Sequence, residues 1–173
     1  MAYNIPLSYY SQLANVESSG NPDALASTSS ASGLFQFIKS TGSSLGLNWG
    51  SDSSQPFGGA FNSIGAQLSA ADTFTQQNAS ALSNAGLPVN GNTLYAAHFL
   101  GAGQAINVLQ SNSQSALSSI LPSNVINANP FLGNMTVGDF TNWITNKGGG
   151  SFNASGSFPK RRVYNTELAS KPK

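Results

Sequence analysis

Pro6-Leu7-Ser8-Tyr9-Tyr10-Ser11-Gln12-Leu13-Ala14-Asn15-Val16-Glu17-Ser18-Ser19-Gly20-Asn21-Pro22 is the stretch whose reading decides the fold. Leu7, Tyr10, Leu13, Ala14 and Glu17 recur at three- and four-residue spacing, the pattern of one helix face. Pro6 stands where a first helical turn tolerates proline, and Gly20-Asn21-Pro22 ends the run. Glu17 is thereby predicted in the last turn, on the buried side. An ionised carboxylate is awkward there, because burial and the negative end of the helix dipole both disfavour it. Structure alone rarely chooses glutamate for such a place.

Downstream, residues 23–33 read as a loop of small residues that leads into Gly33-Leu34-Phe35-Gln36-Phe37, an apolar segment carrying one amide. A helix, a sharp break, a small-residue loop and such a segment would suit a carbohydrate cleft. A carboxyl group pushed into a cleft can be held protonated and used as an acid. The spacing predicts a second helix from Leu34 to about Leu45, then loop from Asn48 to Gly58. Phe61, Ile64, Leu68, Ala71 and Phe74 give the strongest helical periodicity, broken at Asn84-Ala85-Gly86-Leu87-Pro88.

Asn92 is the expected cap of a helix carrying Leu94, Tyr95, His98 and Phe99 up to Gly101-Ala102-Gly103. Further helices are expected through Ala105, Ile106 and Leu109, and through Ala116, Leu117 and Ile120, the latter stopped by Pro122. Thr136 with Asp139 three residues on forms a capping box that opens a helix through Val137, Phe140, Trp143 and Ile144. Period-two alternation is nearly absent, so the predicted fold is mostly α. From Lys147 onward, Gly-Gly-Gly-Ser and scattered charges predict a linker or flexible C-terminal tail. The expected organisation is one domain over residues 1–146 and a Gly/Ser-rich basic tail over 147–173.

Composition narrows the chemistry. The 173 residues suit a single domain. There is no cysteine, which excludes disulfides, thiolate nucleophiles and thiolate metal sites. One histidine and six carboxylates argue against a transition-metal site, so neither metal nor cofactor is expected. Only 8% of residues are charged, against a usual value of about 25%. Charge is also uneven: residues 1–146 hold Lys39 against Glu17, Asp23, Asp52, Asp72 and Asp139, whereas residues 147–173 hold six bases against Glu167. Such a tail either reaches for a partner or polyanion or remains a solvated end. Met1-Ala2-Tyr3-Asn4-Ile5-Pro6 lacks a basic region followed by an apolar run, so no secretory leader is expected. No stretch approaches the roughly 18 apolar residues of a membrane span.

Three segments carry a resemblance: Glu17-Ser18-Ser19-Gly20-Asn21-Pro22, Ser32-Gly33-Leu34-Phe35-Gln36-Phe37, and Tyr95-Ala96-Ala97-His98-Phe99-Leu100-Gly101-Ala102-Gly103. They resemble, in order, the three motifs of the soluble lytic transglycosylases, lysozyme-like enzymes related to goose-type lysozyme. The His-Phe-Leu-Gly-Ala-Gly variant resembles the branch found in bacteriophage tail proteins. So does a fourth segment, Asn129-Pro130-Phe131 with Met135-Thr136-Val137-Gly138-Asp139-Phe140. The similarity covers roughly residues 8–146.

The resemblance implies a lysozyme-like helical domain that cleaves the β-1,4 bond between N-acetylmuramic acid and N-acetylglucosamine in peptidoglycan glycan strands. Glu17 matches the family's single catalytic glutamate. Gln36 would bind a sugar acetamido group, Phe35 and Phe37 would offer ring faces, and Gly33 would permit close backbone approach. Tyr95 and His98 would line the opposite wall, and Ser18 would bond Glu17 or substrate. Phe35, Phe37, Tyr95 and His98 also have a reading as core residues, which for His98 and one of the two phenylalanines is the favoured one. Gly101-Ala102-Gly103 has no strand before it, so neither a nucleotide site nor nucleic-acid binding is expected.

The chain also departs from the pattern. His98-Phe99 replaces a common Tyr-Asn, Phe35 a common Met, Ser32 a common Ala, and Tyr164 is the only late tyrosine. The expectation is a virion-borne enzyme in a phage tail, acting in the host periplasm or cell wall beside other tail proteins. The alternatives are a non-catalytic tail component that keeps the fold, a hydrolysing muramidase with Asp23 or Asp52 as second carboxylate, and a sugar-binding module.

Overall fold

The computed structural model describes residues 2–51, 56–147 and 157–161. These form a mostly α molecule of seven helices: α1 (Leu7–Ser18), α2 (Lys39–Ser44), α3 (Ile64–Asn84), α4 (Gly91–Leu100), α5 (Ala102–Leu109), α6 (Ser123–Ala128) and α7 (Val137–Asn146). Two 3₁₀ turns, Leu117–Ser119 and Pro130–Asn134, lie between α5 and α7. Only isolated β-bridges occur among the described residues. None of the described helices is long and apolar enough to cross a membrane.

α4 is the middle of the molecule. Leu94, Tyr95, Ala96 and Ala97 are all buried along one helix, which packs against α3, α5 and α7. Its start is fixed by Asn90, not by Asn92 as the sequence suggests. The Asn90 side chain accepts from the Thr93 N–H at 3.0 Å, while the Thr93 hydroxyl accepts from the Asn90 N–H at 3.1 Å. Asn90 wins because its extended backbone lets both bonds of the capping box close. α7 opens as expected, with the Thr136 N–H on Asp139 Oδ2 at 2.9 Å and the return bond at 3.1 Å.

α3 begins at Ser63, whose hydroxyl accepts from the Ala66 N–H at 3.1 Å. The expected apolar stripe holds for Ala71, which is buried, and for Leu68 and Phe74, which pack against the core, but not for its first two members. Phe61 precedes the helix and Ile64 is 60% exposed. The fully buried face comprises Gln67, Ala70, Ala71, Thr75, Asn78, Ala79 and Leu82. Small side chains there let α4 come close. Gln67 is tolerated inside because its amide is fully used: Oε1 accepts from the Leu34 N–H at 2.7 Å, and Nε2 donates to Asn62 O at 3.2 Å and Pro22 O at 3.4 Å.

Two further expectations fail for backbone reasons. The helix predicted from Leu34 is confined to α2, because Gly33 (φ +81°) and Gln36 (φ +53°) are both left-handed. The segment from Ser32 to Phe37 turns back on itself, with the Ser32 N–H on Phe37 O at 3.2 Å. A Cβ on Gly33 would also sit 2.7 Å from Gln67 Oε1, so the close approach this glycine permits is to α3 and not to a ligand. The helix predicted through Ala116 and Ile120 is a single 3₁₀ turn, and Pro122 starts α6 instead of ending a helix.

The packed body extends past the expected boundary at 146. Phe158 is buried and its ring lies 6.4 Å from that of Tyr9. The Phe158 N–H donates to Val89 O at 2.7 Å, the Asn4 N–H to Pro159 O at 2.8 Å, and the Arg161 N–H to Ala2 O at 2.8 Å. Residues 157–161 thus form a strap across the start of the chain. Burying Phe158 contributes about 1.5–3 kcal/mol. The Gly-Gly-Gly-Ser stretch, Asp52, Tyr164 and the rest of the basic tail lie outside the described residues.

Candidate active site

The site forms where α1 ends. Ser19 (φ +54°) and Gly20 (φ +74°) turn the chain sharply, and their N–H groups return to Asn15 O and Ala14 O at 3.0 and 3.1 Å. That fixes Glu17 in the final turn, one stripe along from Leu13 and Tyr9. Ser18 then clamps the next segment, since its hydroxyl lies 2.8 Å from Leu34 O and 3.0 Å from Ala14 O. It therefore holds the 33–37 turn against α1 and does not bond the Glu17 carboxyl.

Two side chains of α4 meet Glu17 from the other side. The Tyr95 phenol is hydrogen-bonded to the Glu17 carboxyl. Burial, then the Glu17 charge and that bond, holds the phenol protonated far above its ordinary range. Tyr9 is buried alongside; its phenol is raised mainly by burial, then by Tyr10 and Glu17. His98 Nε2 lies 3.1 Å from Phe35 O, which makes Nε2–H the donor. Burial lowers the His98 pKa, partly opposed by the Glu17 charge and the Phe35 bond. Glu17 Oε1 is buried and has no hydrogen-bond partner among the described residues. The result is one carboxyl group among neutral rings, with a buried acceptor oxygen uncommitted.

Each other described carboxylate has a structural task. Asp23 Oδ1 accepts from the Gly59 N–H at 2.6 Å, Asp72 from the Tyr10 hydroxyl at 2.6 Å, and Asp139 completes the α7 cap. No cluster of His, Cys, Asp or Glu able to hold a metal occurs among the described residues.

The structure thus brings Glu17, Tyr95 and His98 together and places the other expected positions differently. Phe35 and Phe37 are 2% and 4% exposed, so neither presents a ring face to a ligand. Phe37 is locked against Phe74 and His98, both at 5.5 Å. Gln36 is half-buried, and its Nε2 donates to Gly33 O at 2.9 Å and Ala24 O at 3.2 Å. What it can offer a ligand is its carbonyl oxygen. Gly101 (φ +80°) serves the α4–α5 turn, and a Cβ at Gly101 or Gly103 would meet nothing within 4 Å, so neither residue tightens helix packing. Tyr9 was not singled out from the sequence, although Tyr9, Leu13 and Glu17 share a four-residue spacing that marks them as one stripe. Gln67 carries no such signal.

The lowered His98 pKa has a measurable consequence. The unfolded chain takes up a proton near pH 6.5 that the folded site resists, so stability is full above that pH and falls as pH drops toward the folded value. His98→Gln, which keeps an amide donor for Phe35 O, should remove up to about 1.4 kcal/mol per pH unit from that slope. Chemical denaturation at pH 7.5 and 5.5 checks this; an unchanged slope would show that His98 titrates normally.

A family model described as the Transglycosylase SLT domain matches residues 1–118. No curated protein matches the chain.

Proposed function

Since the chain belongs to the SLT transglycosylase family, whose members are lytic transglycosylases, we propose that it cleaves the N-acetylmuramic acid–β-1,4–N-acetylglucosamine bond of peptidoglycan with Glu17 as sole acid and base. The observation that carries this reading is the Glu17 carboxyl. It is bonded to the Tyr95 phenol, its Oε1 is buried with no partner among the described residues, and every other described carboxylate is engaged elsewhere.

Protonated Glu17 delivers its proton to the glycosidic oxygen as the C1–O bond breaks. The carboxylate left behind takes the proton of the muramic 6-hydroxyl, whose oxygen closes on C1. The products are a free 4-hydroxyl and a 1,6-anhydro end, and no water is consumed. A hydrolase would need a second carboxylate, about 5 Å away for retention or 6.5–9.5 Å for inversion. Tyr95 orients the carboxyl as a neutral donor. His98, neutral at pH 7, fixes the 33–37 turn through Phe35 O, and Gln36 Oε1 is positioned to accept from an acetamido N–H.

Digestion of purified sacculi followed by mass spectrometry tests the reaction. The expected muropeptides are lighter by one water than reducing-end products. Reducing ends would make the protein a hydrolase, and absence of products a non-catalytic one. We also propose carriage in a phage tail, supported by the resemblance of His98–Gly103 and Asn129–Phe140 to that branch. Its check is detection of the protein in purified particles.

A further inference from the structure

The helix that carries Glu17 meets the other helices through individual side chains. Among the described residues the closely paired helices are α4 with α5, α3 and α7, and α3 with α5; α1 is not in these pairs. Its anchors are local. The Tyr10 hydroxyl donates to Asp72 of α3 at 2.6 Å, the Ser18 hydroxyl lies 2.8 Å from Leu34 O, and the Tyr95 phenol of α4 bonds the Glu17 carboxyl.

The strap at 157–161 supplies a further anchor, and Phe158 reaches both helices that meet at the carboxyl. Its ring is 7% exposed and lies 6.4 Å from that of Tyr9 on α1, at an interplanar angle of 68°. Its N–H donates at 2.7 Å to the carbonyl of Val89, the residue before the Asn90 cap of α4. The strap is tied down beyond it. Pro159 and Arg161 pair with residues 2–4, and the Lys160 ammonium lies 5.7 Å from the centre of the Tyr3 ring. Tyr3 is held to α3 in turn, its N–H on Gln76 Oε1 at 2.6 Å and its carbonyl on Gln76 Nε2 at 2.9 Å. On α1, Tyr9, Leu13 and Glu17 share one stripe. The Tyr9 phenol, raised mainly by burial, also feels the charges of Tyr10, Glu17 and Tyr95. The ring that covers α1 is thus fastened to the start of the helix that carries Tyr95.

We propose that Phe158 is a positioning residue for Glu17: it holds α1 against the start of α4 and so keeps the carboxyl in hydrogen-bond register with the Tyr95 phenol. Its value to catalysis rests on the function proposed above, whereas its hold on the Glu17–Tyr95 pair does not. Without the ring, α1 retains its Tyr10–Asp72 and Ser18–Leu34 anchors, so the chain folds while the carboxyl shifts relative to the phenol.

Phe158→Ala should lower kcat on sacculi roughly tenfold and leave KM nearly unchanged, less than the roughly 10²-fold that a 1 Å misplacement can cost. The control, assayed well below both Tm values, is Leu117→Ala, which empties another buried site on the 3₁₀ turn after α5 and should leave kcat alone. A second readout needs no turnover: the carbon-13 shift of the Glu17 carboxyl carbon, assigned by its loss in Glu17→Gln. Phe158→Ala should move this signal as Tyr95→Phe does, and Leu117→Ala should not. Phe158→Tyr should restore both kcat and the shift. Should Phe158→Ala fail to fold, Phe158→Leu takes its place, with smaller changes in the same direction. An unmoved carboxyl signal overturns the proposal even where activity falls, and so does a kcat equal to wild type. An equal response in Leu117→Ala overturns it too. If the wild-type protein forms no products, the catalytic reading falls, and a moved signal in Phe158→Ala still upholds the strap's hold on Glu17 and Tyr95.

Discussion

Glu17→Gln is expected to lower the rate of sacculus solubilisation by at least about 10³-fold while leaving Tm within a few degrees of wild type. General acid–base catalysis by one group is worth about 10²–10⁴, and this carboxyl is proposed to act in both proton transfers. The replacement is nearly isosteric, and Tyr95 can donate to an amide oxygen as it does to the carboxyl. Folding should therefore be almost indifferent to the change. Turbidity of a sacculus suspension and a thermal melt of the same sample decide the matter. A variant that clears walls as fast as wild type removes Glu17 from the chemistry.

The second large effect is expected away from the carboxyl. Gln67→Leu conserves volume approximately but leaves the Leu34 N–H and the Asn62 and Pro22 carbonyls without their buried partner. Each unpaired buried group costs about 1–3 kcal/mol, and partial relaxation should bring the total to about 3–5 kcal/mol. For a chain of this size that corresponds to a Tm lower by about 10 °C. Activity at 25 °C should fall further than the unfolded fraction explains, because Leu34 belongs to the turn held against Glu17 by Ser18. Hydrogen exchange at the Leu34 amide should accelerate first. Gln77→Leu, exposed on the same helix, should cost less than about 0.5 kcal/mol. Equal Tm values for the two variants would show that α3 does not hold the turn.

Sequence legibility followed how local each determinant is. The end of α1 is written in Gly20-Asn21-Pro22, and the start of α7 in the Thr136–Asp139 pair, so both could be read. The 33–37 turn could not, since Gln36 adopts a left-handed backbone in a turn pinned by Gln67 of α3 and His98 of α4, both distant in sequence. Periodicity found α3 and its end but misread part of its buried face, because it counts apolar residues, and here the interior takes Gln67 while Ile64 faces water. Glu17, Tyr95 and His98 were legible because their surrounding motifs resemble those of a known family. Phe35 and Phe37 shared those motifs, yet they serve the core beneath the site. A motif records that a residue type is needed, not whether its side chain faces the ligand.

The strap at 157–161 bears on the order of events during folding. Its bonds to residues 2–4 join chain segments nearly the whole described length apart, among the most entropically costly contacts to close. Contacts of such sequence separation form slowly and late. On a ribosome, α1 emerges long before Phe158 is synthesised, and until then Tyr9 lacks the ring that covers it. The helix carrying Glu17 therefore receives its outer layer only after α7 has been made. A nascent chain released early would hold the candidate-site motifs without the finished wall behind them.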